Sequence, residues 1–535
     1  MVYDAGMRSH LWLVLSSCLV LGLASPVSAQ GQGRGGRGAQ PQTPAAGGGR
    51  GAAPQGPAGD FFRFDPTQSE GAPVKSGPPV MTKHQITVHG DTIAYTAYAG
   101  FMPIRNATTG EVMGNLFYTY YAKDGANPAE RPVTFCFNGG PGSGTIWLHM
   151  GAFGPKRVKL ESNGQTPAPP ITYEDNPDTL LDVSDLVFID AMGTGWSRPA
   201  KPTDGPYFWG VQNDIAAFGE FVRSFLNQYD RWSSLRFLAG ESYGTTRAAG
   251  LAGYLTQQKI PVQGVYLLST IIDARSRQGD LSFVSLLPTE IMTAWYYKKL
   301  SPDLQKLSAD ELSRQAIEFA GHEYQQALYD GARMTPEQRQ KVLADLHRFT
   351  GLSESFLSSN DLRVSLGRFS TELLRDQHKM TSRLDSRFAG YLPDGGADAT
   401  PFDYSNANID LSFLTAFENY MRHDLNWKDD DIYYVLGGGI GQWSGEYNTV
   451  ENLEDAFARN PRMHLFVAMG YYDFATVYGA VEWTLAQMKV SPEVRAHNIM
   501  TAHYESGHMV YIDRPASAKM HADLVKFYKA TEAEK

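Results

Sequence analysis

From about residue 83 the chain alternates apolar and polar positions over short stretches. Gln85–Val88, Thr92–Tyr98 and Gly114–Tyr121 follow this period of two, and the turn formers His89-Gly90-Asp91 and Asn106–Gly110 separate them, which predicts an antiparallel meander. The alternation then stops. Val133–Phe137, Leu186–Asp190, Leu235–Ala239, Val265–Ser269, Leu465–Met469 and Asn498–Ala502 are largely apolar and end in glycine or polar residues. Runs of that length suit strands buried on both faces, as in a parallel sheet. Between two of them, Val211–Tyr229 places Ile215, Phe218, Phe221, Val222 and Phe225 at helical spacing, the pattern of a crossover helix laid on such a sheet. The expected core is α/β, with a mostly parallel central sheet flanked by helices.

Residues 273–430 have a different texture. Helix formers recur at heptad-like spacing in Pro302–Phe319, Thr335–Phe349 and Ser370–Leu384. Because strands resume only near Leu465, the simplest organisation is one sheet, built from residues 81–272 and 431–535, interrupted by a mainly helical cap insertion over 273–430.

The start of the chain differs again. Arg8, an apolar run from Leu11 to Leu23 and the small-residue site Val27-Ser28-Ala29 read as an export signal over residues 1–29. The apolar run is about 13 residues, short of the roughly 18 that cross a bilayer, and no later segment is long and apolar enough, so no transmembrane segment is expected. Leu15-Ser16-Ser17-Cys18 also resembles a lipobox, but cleavage there would split the apolar run, so lipid anchoring at Cys18 is the lesser reading of an exported protein, periplasmic or secreted. Residues 30–80 read as a disordered linker rich in Gly, Pro, Ala and Gln, with too few core formers to order itself. Gly33–Gly38 matches GxGxxG there, yet no strand precedes it and no helix follows, so a dinucleotide site is not supported.

Composition narrows the classes that remain. With 535 residues, 42% hydrophobic and 19% charged, the chain can bury a large core. The net charge is −10, and −13 once residues 1–59 with their net +3 are set aside, which argues against nucleic acid as a partner. Cys18 and Cys136 are the only cysteines, too few for a disulfide scaffold or a thiolate metal site, and signal removal leaves one. His322-Glu323-Tyr324-Gln325-Gln326 lacks the second histidine of a zinc protease, and the reading calls for no metal and no cofactor.

Candidate chemistry sits at the ends of the apolar runs. Leu235–Ala239 leads into Gly240-Glu241-Ser242-Tyr243-Gly244, and a helix-compatible Thr245–Leu255 follows. That is the setting of a nucleophile elbow, where a serine occupies a strained strand-to-helix turn and flanking glycines relieve crowding. A serine hydroxyl needs a base and an orienting carboxylate. Asp473 follows the run Leu465–Met469, and His508 lies in Glu505-Ser506-Gly507-His508-Met509 before a terminal helix expected over Ala516–Tyr528. His503 reads as a strand-end histidine without a chemical role. Phe135–Phe137 runs into Asn138-Gly139-Gly140-Pro141-Gly142-Ser143-Gly144, which lacks the lysine of a phosphate loop; Gly140 is the candidate N–H donor to an oxyanion.

Taken together, NGGPG at 138–142, GESYG at 240–244 and GHM at 507–509 resemble the serine carboxypeptidase family, in the same order and spacing. Phe188–Ser197 is similar to the family's strand ending in a GTGFS-like loop, and Gly151–Pro155 to its GPF-like segment. The resemblance implies an α/β-hydrolase fold and hydrolysis of the C-terminal peptide bond of a peptide substrate. It implies a triad of Ser242, Asp473 and His508, an oxyanion hole from the N–H groups of Gly140 and Tyr243, and recognition of the substrate carboxylate by Asn138 and a protonated Glu241. Activity at acidic pH follows from that protonation. The family's cysteine after NGGPG is Ser143 here, and the asparagine usual after the triad acid is absent from Phe474–Gly479. An esterase or acyltransferase acting on a small acyl substrate would use the same triad and is the alternative. A catalytically dead binding module would lack a triad member. Side-chain preference and oligomeric state are not encoded in any motif.

Overall fold

Residues 64–71, 73–392 and 402–533 are described by the computed structural model. The expected export signal, the lipobox cysteine and the first part of the linker lie outside the described residues.

The three alternating segments form an antiparallel edge of β1 (Val80–Val88), β2 (Asp91–Arg105) and β3 (Val112–Lys123). The apolar runs form the parallel body: β4 (Val133–Phe137), β5 (Asp185–Ile189), β6 (Arg236–Glu241), β7 (Gly264–Leu268), β8 (His464–Gly470) and β9 (Ile499–Tyr504). Their spatial order is β1-β2-β3-β5-β4-β6-β7-β8-β9, with the two-residue strand Arg198–Pro199 added on β3. β3 meets β5 antiparallel, and every pair from β5 onward is parallel. Every residue of β4 to β8 is buried, which explains why those runs lack alternation. This is the α/β-hydrolase arrangement. After β4 the chain moves outward to β5, then returns to place β6 on the other side of β4, so the crevice at the carboxyl ends of β4 and β6 is a topological switch point.

Helices cover the sheet. α1 (Val211–Gln228) lays Phe218 on Phe137 and Phe225 on Phe135, with ring centroids 5.1 and 5.3 Å apart. α2 (Tyr243–Gln257) crosses α1 closely because Gly219 lies under Tyr254 and Gly250 under Ile215. There follow α3 (Gly279–Tyr296), α4 (Ala309–Phe319), α5 (Pro336–Thr350), α6 (Leu366–Glu372), α7 (Tyr404–His423), α8 (Val450–Arg459), α9 (Tyr478–Gln487) and α10 (Arg514–Glu532). Local signals set several boundaries. Ser308 caps α4, and a reciprocal Thr335–Gln338 capping box opens α5, which Gly351 closes at φ 70°.

Two sequence expectations are corrected. Ser370–Leu384 is not a helix: α6 stops at Glu372, His378 takes φ 52°, and Lys379–Thr381 pairs with Ala389–Tyr391. Its backbone groups are committed elsewhere, since Arg383 O accepts from Phe474 N at 3.0 Å and Leu384 O from His508 N at 2.7 Å. Residues 64–71 and 73–79, assigned to the linker by composition, are tied to the core. Phe64 donates its N–H to Gly438 O at 3.1 Å and sets its ring against Trp209, while Lys75 pairs with Asp429 and Asp431. One aromatic and one lysine anchor a stretch that its glycine and proline content marks as loose. α7 belongs to the core packing as well, with Phe413 on Trp147 and Phe417 on Tyr433, at centroid distances of 4.8 and 4.6 Å.

Candidate active site

β6 delivers Ser242 into a turn with φ 60° and ψ −128°, a left-handed backbone that costs a non-glycine residue about 1–3 kcal/mol. The tight turn is possible because neither flank carries a side chain. A Cβ on Gly240 would overlap Gly244 O, and one on Gly244 would sit 2.6 Å from Phe137 O. Ser242 N is held by Leu268 O of β7 at 3.0 Å. The side chain of Ser242 is half-buried, at the carboxyl end of β6.

Gly139 presses against the first turn of α2 so closely that a Cβ there would collide with Tyr243 N. Gly140 follows at φ 107°. The N-terminus of α2, with its unpaired N–H groups, and the Gly140 turn are thus brought against each other beside Ser242. Trp443 and Tyr447 stack edge-on against Tyr243, at 5.1 and 5.3 Å, and form a wall on this side.

On the other side lie the predicted acid and base. His508 Nδ1 is 2.8 Å from Asp473 Oδ2. A carboxylate only accepts, so Nδ1 carries the proton and the lone pair stands on Nε2. Asp473 Oδ1 accepts from Ala475 N at 2.7 Å and Thr476 N at 2.9 Å, and Oδ2 also accepts from Thr476 Oγ1 at 2.5 Å. Thr476 therefore supplies the support that the missing asparagine left open. Burial alone would raise the Asp473 carboxyl, but the His508 charge and these hydrogen bonds bring it below its ordinary value. Burial likewise opposes charge on His508, and the Asp473 carboxylate, with help from Glu241, lifts its basicity above the usual range. Among the described residues Ser242 Oγ and His508 share no hydrogen bond; the structure brings Asp473 and His508 into direct contact and Ser242 to the same end of the sheet. Bonds of this kind are often long until substrate is bound.

Glu241 lies beneath the serine, buried. Its Oε2 accepts from Asn138 Nδ2 and from Tyr511 Oη, both at 2.8 Å, while Asn138 Oδ1 accepts from Leu148 N at 3.0 Å. Burial pushes the carboxyl up to about 7, against the pull of His508, Tyr511 and Asn138. Below that pH it is a neutral acid able to donate from Oε1. Tyr511 was not foreseen. The signal for it was Gly151 in the GAFGP segment, where a Cβ would collide with the Tyr511 ring.

A second unforeseen element is the buried pair of Arg247 and Asp214. Arg247 Nε and Nη2 donate to the two Asp214 oxygens at 2.8 and 3.2 Å, Nη1 donates to Asn138 O at 2.7 Å, and Tyr243 Oη donates to Asp214 Oδ2 at 3.0 Å. The pair thereby locks the NGG loop to α2. His503 sits on β9 and stacks on Tyr471 with rings 5.2 Å apart, away from this chemistry.

Among the described residues no group of His, Cys, Asp or Glu is arranged to hold a metal, and no helix is long and apolar enough to cross a membrane. Cys136 is free and buried, and burial pushes its thiol well up.

Comparison with known proteins places these residues in context. Residues 89–313 match the family described as serine carboxypeptidase. Serine carboxypeptidase-like 5 of Arabidopsis thaliana is 32% identical over 137 residues, 24% of this chain and 28% of the relative. The carboxypeptidase Y homolog of Arthroderma benhamiae is 28% identical over 187 residues, 33% of each chain. The aligned part thus spans about a third or less of these relatives. The crystal structure of Kex1(delta)p, a prohormone-processing carboxypeptidase from Saccharomyces cerevisiae, superposes with a TM-score of 0.49 at 16% identity, covering 81% of this chain and 91% of that one.

Proposed function

We propose that the chain is a serine carboxypeptidase, as the match of residues 89–313 to that family supports, and that it hydrolyses the C-terminal peptide bond of peptides through an acyl-enzyme on Ser242. His508 Nε2 takes the Ser242 proton as Oγ attacks the scissile carbonyl. Asp473 fixes the tautomer and stabilises the imidazolium, and the N–H groups of Gly140 and Tyr243 receive the oxyanion, a donor being worth ~3 kcal/mol. The C–N bond breaks, His508 returns the proton to the departing amino acid, and water then cleaves the ester by the same steps in reverse.

The observation that carries this reading is the site beneath the serine. Asn138 and a Glu241 that stays protonated up to about pH 7 offer neutral donors to a carboxylate next to the scissile bond. An esterase of simple acyl compounds has no use for such a pair. In the same reading the enzyme is exported to the periplasm or beyond, with residues 1–29 as the signal.

Blocked dipeptides, their C-terminal amides and simple esters, offered over a series of buffers from acid to weakly alkaline, test the proposal. Release of a free C-terminal amino acid, lost in Ser242→Ala and weak for the amides, is expected. Cleavage of esters alone would overturn it in favour of the esterase or acyltransferase alternative.

A further inference from the structure

Asn138 follows β4 and Asp190 follows β5, and these strands are parallel neighbours with Cys136 opposite Phe188, so Asn138 and Asp190 leave the sheet level with each other. Both side chains hold the start of one buried helical segment, which runs through Leu148–Phe153 and begins with His149 N on Thr145 O at 3.1 Å. Asp190 Oδ1 accepts from Thr145 N at 2.7 Å, and Asn138 Oδ1 accepts from Leu148 N at 3.0 Å. Thr145 Oγ1 also donates to Ile189 O.

That segment governs the site beneath the serine. A backbone N–H only donates, so Leu148 N decides which way the Asn138 amide faces: Oδ1 toward the segment and Nδ2 toward Glu241. The segment also seats Tyr511, the other donor to Glu241 Oε2, because Gly151 lies against the Tyr511 ring where a Cβ would collide. Displacing the segment therefore disturbs both groups that hold Glu241.

The far end of the segment is anchored independently. Asn176 Nδ2 donates to Ala152 O and Gly154 O at 2.8 and 2.9 Å, and Thr179 Oγ1 donates to Phe153 O at 2.6 Å. The near end rests on Ile189 O and the Asp190 carboxyl. Burial pushes that carboxyl up to about 6, against the pull of Thr145, Tyr433 and Trp196, and Tyr433 Oη donates to Oδ1 at 3.0 Å. Gly195 closes over Oδ2 with no room for a Cβ. A buried carboxylate is costly, and what its bonds hold in place accounts for it here. We propose that Asp190 is a positioning residue for recognition of the substrate's terminal carboxylate, acting through Thr145 and Leu148 on the amide of Asn138. The inference rests on the carboxypeptidase reading for the role of Asn138.

The test compares a blocked Phe-Leu dipeptide with its C-terminal amide, by hydrolysis and by calorimetric binding to Ser242→Ala, which does not depend on turnover. In the parent the acid is expected to lead the amide by about tenfold or more, as hydrogen bonds to a charged group warrant. Asp190→Ala should bring the two close to equal by raising KM for the acid, with kcat and the handling of the amide little altered. Asp190→Asn keeps an oxygen for Thr145 N and should restore most of the lead. Asp190→Ser, too short to reach Thr145 N, takes the place of Asp190→Ala if that variant does not fold. In an Asn138→Ala background, Asp190→Ala should take nothing further from the lead. A lead that survives Asp190→Ala, or acid and amide weakened equally, overturns the positioning role and leaves the carboxypeptidase reading standing. If neither compound is hydrolysed but the acid binds better until Asp190→Ala removes the difference, the carboxypeptidase reading fails and the positioning role stands.

Discussion

Tyr511 donates a 2.8 Å hydrogen bond to Glu241 Oε2, the same oxygen that Asn138 holds from the other side. Both donors favour the ionised carboxylate, whereas burial favours the neutral acid, and burial is the larger effect. Removing the hydroxyl in Tyr511→Phe takes away one stabilised form of the anion, so Glu241 should stay protonated to a higher pH. The alkaline decline in kcat/KM for blocked dipeptides is expected to move upward in pH. A downward move would mean that Tyr511 acts on something other than this carboxyl.

Glu241→Gln separates binding from base chemistry. Glu241 ionises near pH 7 in the folded protein, and substrate binding through its proton should weaken above that pH, seen as a rising KM. The amide keeps a donor at every pH, so that rise should vanish. An unchanged acid preference for peptides would sink the assigned role.

The same residue makes stability depend on pH. The folded state holds the Glu241 proton up to about 7 and the unfolded chain releases it near its ordinary 4.5, so stability from this group is full below 4.5 and lost as pH rises through 7. The total is on the order of 3 kcal/mol. Urea titrations at pH 4.5 and 8 should show a smaller difference for Glu241→Gln than for the parent.

Thr476 touches both members of the acid–base pair, at 2.5 Å from Asp473 Oδ2 and 3.3 Å from His508 Nδ1. Thr476→Val should lower kcat by about tenfold, as loss of a hydrogen bond to a charged group implies, with KM little altered. Thr476→Ser should restore most of it. Equal loss in both variants would point to packing of the methyl group, not to the hydroxyl.

Arg247→Met leaves Asp214 as a buried charge without its partner, at a cost of about 3–5 kcal/mol. The double variant Asp214→Asn, Arg247→Met should recover part of that stability in urea unfolding. Activity should not return with it, because Asn138 O loses the Arg247 donor in both.

Pattern in the chain reached the sheet and named residues that the structure brings to one end of it. Strands buried on both faces leave an apolar run that locates them to within a residue or two, and the glycines around Ser242 mark backbone contacts too close for any side chain. Tyr511, Arg247 and Thr476 escaped because their roles depend on partners 270, 109 and 3 residues away, and nothing in a tyrosine, arginine or threonine announces the partner. The failure at Ser370–Leu384 has the opposite cause. Local propensity there favours a helix, and hydrogen bonds to the 474 and 508 loops prevail over it.

Those bonds also tie the inserted segment to the acid and base loops. Leu384 O holds His508 N, Tyr297 Oη donates to Ser386 O, and Ser386 N donates to Tyr472 O at 3.0 Å, so the turn between Lys379–Thr381 and Ala389–Tyr391 is stitched to the loops bearing both Asp473 and His508. Lifting that turn would drag imidazole and carboxylate away from the serine together, so the insertion and the acid–base pair keep station as one piece.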